Sequence, residues 1–146
     1  MAKGQSSLEL LVTVGVVIAF TIPVLFLLLS VSSMGYEDTA KAQADATART
    51  LADTMNTVYA QGPDAQREVL LNVPASTESL YAADGEVIIR IRTSTGSFET
   101  SSPTIAKIGA GSRIIEGKTG LFKLVVRSLR GADGKIEVEI LDPASP

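Results

Sequence analysis

Residues 10–31 read Leu-Leu-Val-Thr-Val-Gly-Val-Val-Ile-Ala-Phe-Thr-Ile-Pro-Val-Leu-Phe-Leu-Leu-Leu-Ser-Val, 22 positions without a charge. As a helix rising about 1.5 Å per residue, this run reaches about 33 Å, enough for a hydrocarbon core of about 30 Å. Glu9 stands directly before it, where a membrane segment normally avoids charge. The small residues Gly4, Ser6 and Ser7 also precede the run. A secretory signal places its small-residue cleavage site after its apolar stretch, so the order here is reversed. A protease acting at this junction removes a short head and leaves the apolar helix on the mature chain. Lys3 is the one charged side chain of residues 1–4. Positive charge beside a membrane helix favours the cytoplasmic side, so the C-terminal portion is expected outside.

The junction Lys3-Gly4-Gln5-Ser6-Ser7-Leu8-Glu9-Leu10 resembles the class III signal peptides of archaeal type IV pilin-like proteins. The resemblance is specific through the apolar run and general beyond it. It implies a prepilin-type peptidase that cuts between Gly4 and Gln5, leaving Glu9 fifth in the mature chain, where pilins carry their glutamate. It also implies that Glu9 meets the α-amine of Gln5 on an adjoining subunit. An assembly ATPase and a polytopic platform protein are the implied partners. The implied course is a single-span precursor in the cell membrane, then self-association into a helical cell-surface filament with a role in adhesion. Many surface pilins of the family are glycosylated on Asn. Here neither Asn56 nor Asn72 opens an acceptor triplet, because Val58 and Pro74 hold the third positions. That departure favours a minor or accessory subunit.

Two residues of the segment admit more than one reading. Ser6-Ser7-Leu8-Glu9 fits a capping box, with Glu9 reaching back to the Ser6 amide, and a carboxylate in the first turn suits the helix dipole. Capping does not explain the Gly4–Gln5 junction. Cleavage there creates an amine four residues from Glu9, on the same helix face, so an ion pair is open within one chain or between neighbours, and a carboxylate in apolar surroundings needs such a partner or a proton. Pro23 lacks an amide hydrogen, so the carbonyl of Ala19 loses its helical partner. Either a kink follows, with the nearby Thr21 re-satisfying the backbone, or a local melt that lets the helix stretch within a filament. Gly15 and Ala19 form a small-xxx-small pair common in membrane helices.

Beyond Gly35 the composition turns to Ala, Gln, Asp, Thr and Arg. Ala44, Ala48, Leu51, Met55, Val58 and Tyr59 recur at helical steps and give one narrow apolar stripe. It is expected to pack on its own domain along its end and on a partner near its start. Gly62-Pro63 stops the helix. From Arg67 the period becomes two. Val69, Leu71 and Val73 alternate with polar positions up to Pro74, and Asp84-Gly85 turns the chain before Val87, Ile89 and Ile91. Short strands are expected at 97–101 and 104–108. Residues 121–129 and 135–141 predict a hairpin, with Ile136, Val138 and Ile140 facing the core and Lys135, Glu137 and Glu139 facing water. The fold class is α+β: a long hydrophobic helix continuing into a soluble one, then a small antiparallel β-sandwich-like head. The expected division is a leader at 1–4, a membrane or filament-core helix at 5–35, a soluble helical spine at 36–62 and the head at 63–146.

The chain has 146 residues, a net charge of −3, and neither Cys, His nor Trp. No thiolate, disulfide or His-based catalytic arrangement is open to it, and the commonest zinc ligands are missing. No cluster of Lys and Arg marks a nucleic-acid footprint. The loop Gly109-Ala110-Gly111-Ser112 has no following Lys and reads as a turn, while Asp133 and Asp142 lack the ligand spacing of a calcium loop. The expectation is a structural protein without catalytic residues, cofactor or metal. The rival reading is a single-span anchored module whose head binds an extracellular ligand without polymerising, or an archaellum accessory component. A plain anchor needs apolarity alone, whereas a filament also needs the junction and Glu9.

Overall fold

A computed structural model of the chain describes residues 2–83, 85–109, 115–116 and 118–141. One helix, α1 (Ala2–Gln61), takes up 60 residues. It begins before Ser6, so the capping box is corrected: Ser6 and Glu9 lie inside the helix, and its first turn carries no acidic residue. At the other end the expected stop is present. Gly62 adopts φ 94°, a left-handed conformation open to glycine, and its N–H donates to the carbonyl of Tyr59 at 3.2 Å.

Contacts along the chain divide it into two compact units, Met1–Asp38 and Thr39–Pro146. Among the described residues, the second unit holds the last part of α1 and seven strands: β1 (Gln66–Val73), β2 (Thr77–Ala83), β3 (Glu86–Thr93), β4 (Gly96–Pro103), β5 (Ile115–Glu116), β6 (Gly120–Arg130) and β7 (Ile136–Leu141). They form two antiparallel sheets, ordered β1-β6-β7 and β4-β3-β2-β5. The architecture is the expected α+β arrangement of a long apolar helix followed by a β head.

The apolar stripe of α1 supplies one wall of the core. Ala44, Ala48, Leu51, Met55 and Val58 are fully buried, joined by Ala52 and flanked by the partly buried Tyr59. Alternating strand positions supply the rest: Leu71 and Val73 from β1, Leu80 from β2, Val87, Ile89 and Ile91 from β3, Leu124 and Val126 from β6, Val138 and Ile140 from β7. Each such side chain contributes about 1.5–3 kcal/mol by leaving water. Ala44 is buried and Ala40 packs against the same cluster, so the stripe packs on its own unit from its start.

The helix also contacts one edge strand of each sheet. β1 ends one sheet and β4 the other. Gln43 Nε2 and Thr47 Oγ1 both donate to the Asn72 carbonyl on β1, at 3.1 and 2.9 Å. On the β4 side, Thr100 Oγ1 donates to Asp45 Oδ1 at 3.4 Å, and the Lys41 ammonium lies 5.6 Å from the centre of the Phe98 ring.

Three differences from the expected pattern have local causes. Residues 104–108 form no strand. Asn56 Oδ1 accepts from Thr104 Oγ1 at 2.7 Å and from the Ile105 amide at 2.9 Å, and Ile108 makes a single parallel bridge to Val138. β2 was not anticipated because an irregularity between Thr77 and Ser79 breaks its period of two, leaving Leu80 as its one large buried apolar side chain. Asp84 of the expected turn lies outside the described residues, whereas Gly85 turns with φ 81°. The β6–β7 hairpin matches expectation, but Ile136 is partly exposed and Glu137 and Glu139 are partly buried in ion pairs. At Gly131 in its turn, a Cβ would come within 2.7 Å of the Glu137 carboxylate carbon, so a larger residue there would displace that side chain.

Two outcomes test this packing. A chain starting at residue 36 carries the whole core and is expected to melt cooperatively with mixed helix and sheet by circular dichroism; a disordered spectrum would refute it. In that chain, Met55→Ala empties a fully buried site and should cost about 2–5 kcal/mol in denaturant unfolding. Thr50→Ala, at an exposed position of the helix, should stay within about 0.5 kcal/mol.

Candidate functional site

The sequence signals converge on the first unit, so the site is built from its helix. From Ser7 onward α1 is long and apolar enough to cross a bilayer. Its large side chains point outward on every side: Leu11, Phe20, Phe26 and Leu29 are each about two-thirds or more exposed. A helix apolar all round is stable only where lipid or other helices surround it. Hydroxyls within the run are satisfied locally, as a low-dielectric setting requires. Thr13 Oγ1 donates to the Glu9 carbonyl at 2.8 Å, Thr21 Oγ1 to Val17 at 2.7 Å and Ser30 Oγ to Phe26 at 2.9 Å.

The helix runs through Pro23 without interruption of its assignment. The Thr21 hydroxyl goes to Val17 and not to the Ala19 carbonyl, so it does not serve the group that the proline leaves without a partner. Just beyond, Ile22, Leu25, Phe26 and Leu29 frame a hollow lined by apolar surface alone. Their spacing of three, four and seven residues is that of a hole that receives a side chain from a second helix. Gly15 has open space where a Cβ would stand, so the Gly15–Ala19 face can be approached closely.

At the ends of the run, Glu9 is exposed and Gly4 and Gln5 lie in the helix backbone, with their side chains outside the described residues. Met34 and Tyr36 are 67 and 77% exposed. Tyr36 was not singled out from sequence. Its signal is position: an amphipathic aromatic next to Glu37 and Asp38 at the end of an apolar run marks where lipid meets water.

In the second unit, Lys107 Nζ lies 2.9 Å from both Asp133 Oδ2 and Glu137 Oε1. The hydrogen bond it donates to Glu137, then that to Asp133, holds the ammonium pKa above its ordinary value, and Lys107 in turn holds Asp133 below the usual carboxylate range. Asp133 thus serves an ion pair that ties the segment after β4 to the hairpin turn, while Asp142 lies outside the described residues. Among the described residues, no three of His, Cys, Asp and Glu gather as a metal site would need. Of the glycine-rich loop, Gly109 is described and donates to the Val138 carbonyl at 2.9 Å; residues 110–112 lie outside the described residues.

Set against known proteins, the chain matches no family model, no curated sequence and no solved structure.

Proposed function

We propose that this chain is a structural subunit of the archaeal type IV pilin kind. It is held as a single-span precursor with the head outside the cell, cut by a prepilin-type peptidase between Gly4 and Gln5, and assembled through its N-terminal helix into an adhesive surface filament. The observation that carries the reading is a 22-residue uncharged helical run, exposed on all sides, that directly follows Gly4-Gln5 and Glu9. The assembly ATPase and platform protein enter as partners by the same resemblance. Such a subunit is not an enzyme.

Physical reasoning gives Glu9 the deciding part. Lipid tails are as apolar as a neighbouring helix, so apolarity alone holds the run equally well in a bilayer or in a filament core. A carboxylate meeting the Gln5 amine of the next subunit is favourable only in the assembled state, and it also fixes register. A simply anchored binding module would place no such demand on this position.

Intact mass of the protein recovered from cells tests processing. The expected mass begins at Gln5; retention of Met1 or Ala2, or loss of the entire run through Val31, sinks the assignment. Glu9 is tested by Glu9→Gln and Glu9→Leu, scored for the fraction cleaved and for the fraction in sheared filaments. Both variants should be cleaved and inserted normally, and both should fail to assemble. Wild-type filament yield from both variants would remove the role given to Glu9, and loss of cleavage in both would assign the residue to peptidase recognition.

A further inference from the structure

The outward face of the sheet β1-β6-β7 departs from the rule for a half-solvated antiparallel sheet, whose outer positions are polar. With Leu71 and Val73 of β1 and Leu124, Val126 and Ser128 of β6 buried, Leu70, Leu121 and Val125 fall on the outer side. Leu70 and Leu121 are 59 and 67% exposed. The register sets Leu70 opposite Lys123 and Leu121 opposite Asn72, so the two leucines are diagonal neighbours. Val125, opposite Glu68, is diagonal to Leu70 on its other side and pairs with Leu141 of β7. An apolar strip therefore crosses all three strands. The ion pairs Lys123–Glu68, at 2.7 Å, and Arg127–Glu139, at 3.3 Å, accompany it.

Elsewhere among the described residues of this unit, Ile105 is the other large apolar side chain more than half exposed, at 75%. Its backbone is pinned by the Asn56 carboxamide, so a fixed segment presents it to solvent.

We propose that the strip is a contact surface between subunits, and that Ile105 of one copy packs on Leu70 and Leu121 of the next. This rests on the filament reading above and adds to it a contact between heads. A strip of four side chains falls far short of the roughly 1,200 Å² of total surface that a specific interface buries. It cannot capture a partner from dilute solution. It suits a partner already held close, and copies of this chain concentrated through their helices satisfy that condition. The strip and Ile105 are also two different surfaces. An open, filament-forming contact needs two complementary patches, whereas a closed two-fold dimer uses one patch against itself.

The chain has no cysteine, so introduced thiols report without background. Filaments of the full chain carrying Ile105→Cys with either Leu70→Cys or Leu121→Cys are sheared from cells and mildly oxidised. The expected product is a ladder of disulfide-linked multimers from at least one pair, and none from the three single variants. Filaments that give no ladder from either pair overturn the head contact and leave the filament reading standing. Disulfide dimers from Leu121→Cys alone also overturn it, because the strip would then meet itself. Wild-type chains that never form filaments overturn both. As a second readout, Leu70→Ser with Leu121→Ser should lower sheared filament yield by about tenfold, the effect of losing roughly one buried apolar side chain at a contact. Its circular dichroism melt should match wild type; unchanged yield overturns the contact.

Discussion

A polypeptide segment in a water-free setting must satisfy every backbone donor and acceptor from within, and the rest of this molecule follows from how residues 10–31 meet that demand. A helix does so entirely by itself. Thr13, Thr21 and Ser30 return their hydroxyls to carbonyls one turn back, so the run presents hydrocarbon to its surroundings in every direction. With Glu9 at one end and Tyr36, Glu37 and Asp38 at the other, polarity is confined to the ends of the run. Such a segment is indifferent between lipid and other apolar helices. Selection between them would then come from a group whose pairing differs in the two settings, which is the part proposed for Glu9.

In the second unit the same helix does a different job. From Thr39 to Gln61 its apolar residues occupy one stripe, and burying that stripe builds the core between two small sheets. Small sheets are poor at standing alone and are open at their edges. Here the helix contributes Ala44 through Val58 to the interior and, through Gln43, Thr47 and Asp45, polar contacts to the edge strands β1 and β4. Ser128, fully buried on β6, ties the end of the helix to the sheet: its hydroxyl donates to the Gly62 carbonyl, and its carbonyl accepts from the Asp64 amide at 3.0 Å. A polar residue in that position is tolerable because its donors and acceptors are all engaged.

How much was legible from residues alone depended on how local the physics was. Periodicity is local. The helical stripe from Ala44 to Val58, the alternation of Val87, Ile89 and Ile91, and the β6–β7 hairpin could all be read because burial on one face imprints a repeat of 3.6 or 2 residues. Where a distant group sets the backbone, no such imprint exists. Residues 104–108 look like a strand, yet the Asn56 carboxamide captures the Thr104 hydroxyl and the Ile105 amide. β2 carries an irregularity that erases its alternation, and Ser6 resembles a helix cap although the helix starts earlier.

Of the candidate site, the chain of residues alone determined nearly everything that is chemistry: an uncharged span of bilayer length, Gly4-Gln5 ahead of it, Glu9 at its entrance and Pro23 within it. These are properties of composition and order, and no folding is needed to create them. Tertiary structure decided what depends on juxtaposition. It buried the start of the stripe at Ala44 in the chain's own head, brought one helix into contact with both β1 and β4, and set Leu70, Leu121 and Val125 side by side on a solvent face. Residues as far apart in sequence as Leu70 and Leu121 become diagonal neighbours only through strand register, and register is fixed by which face of each strand the common core can bury.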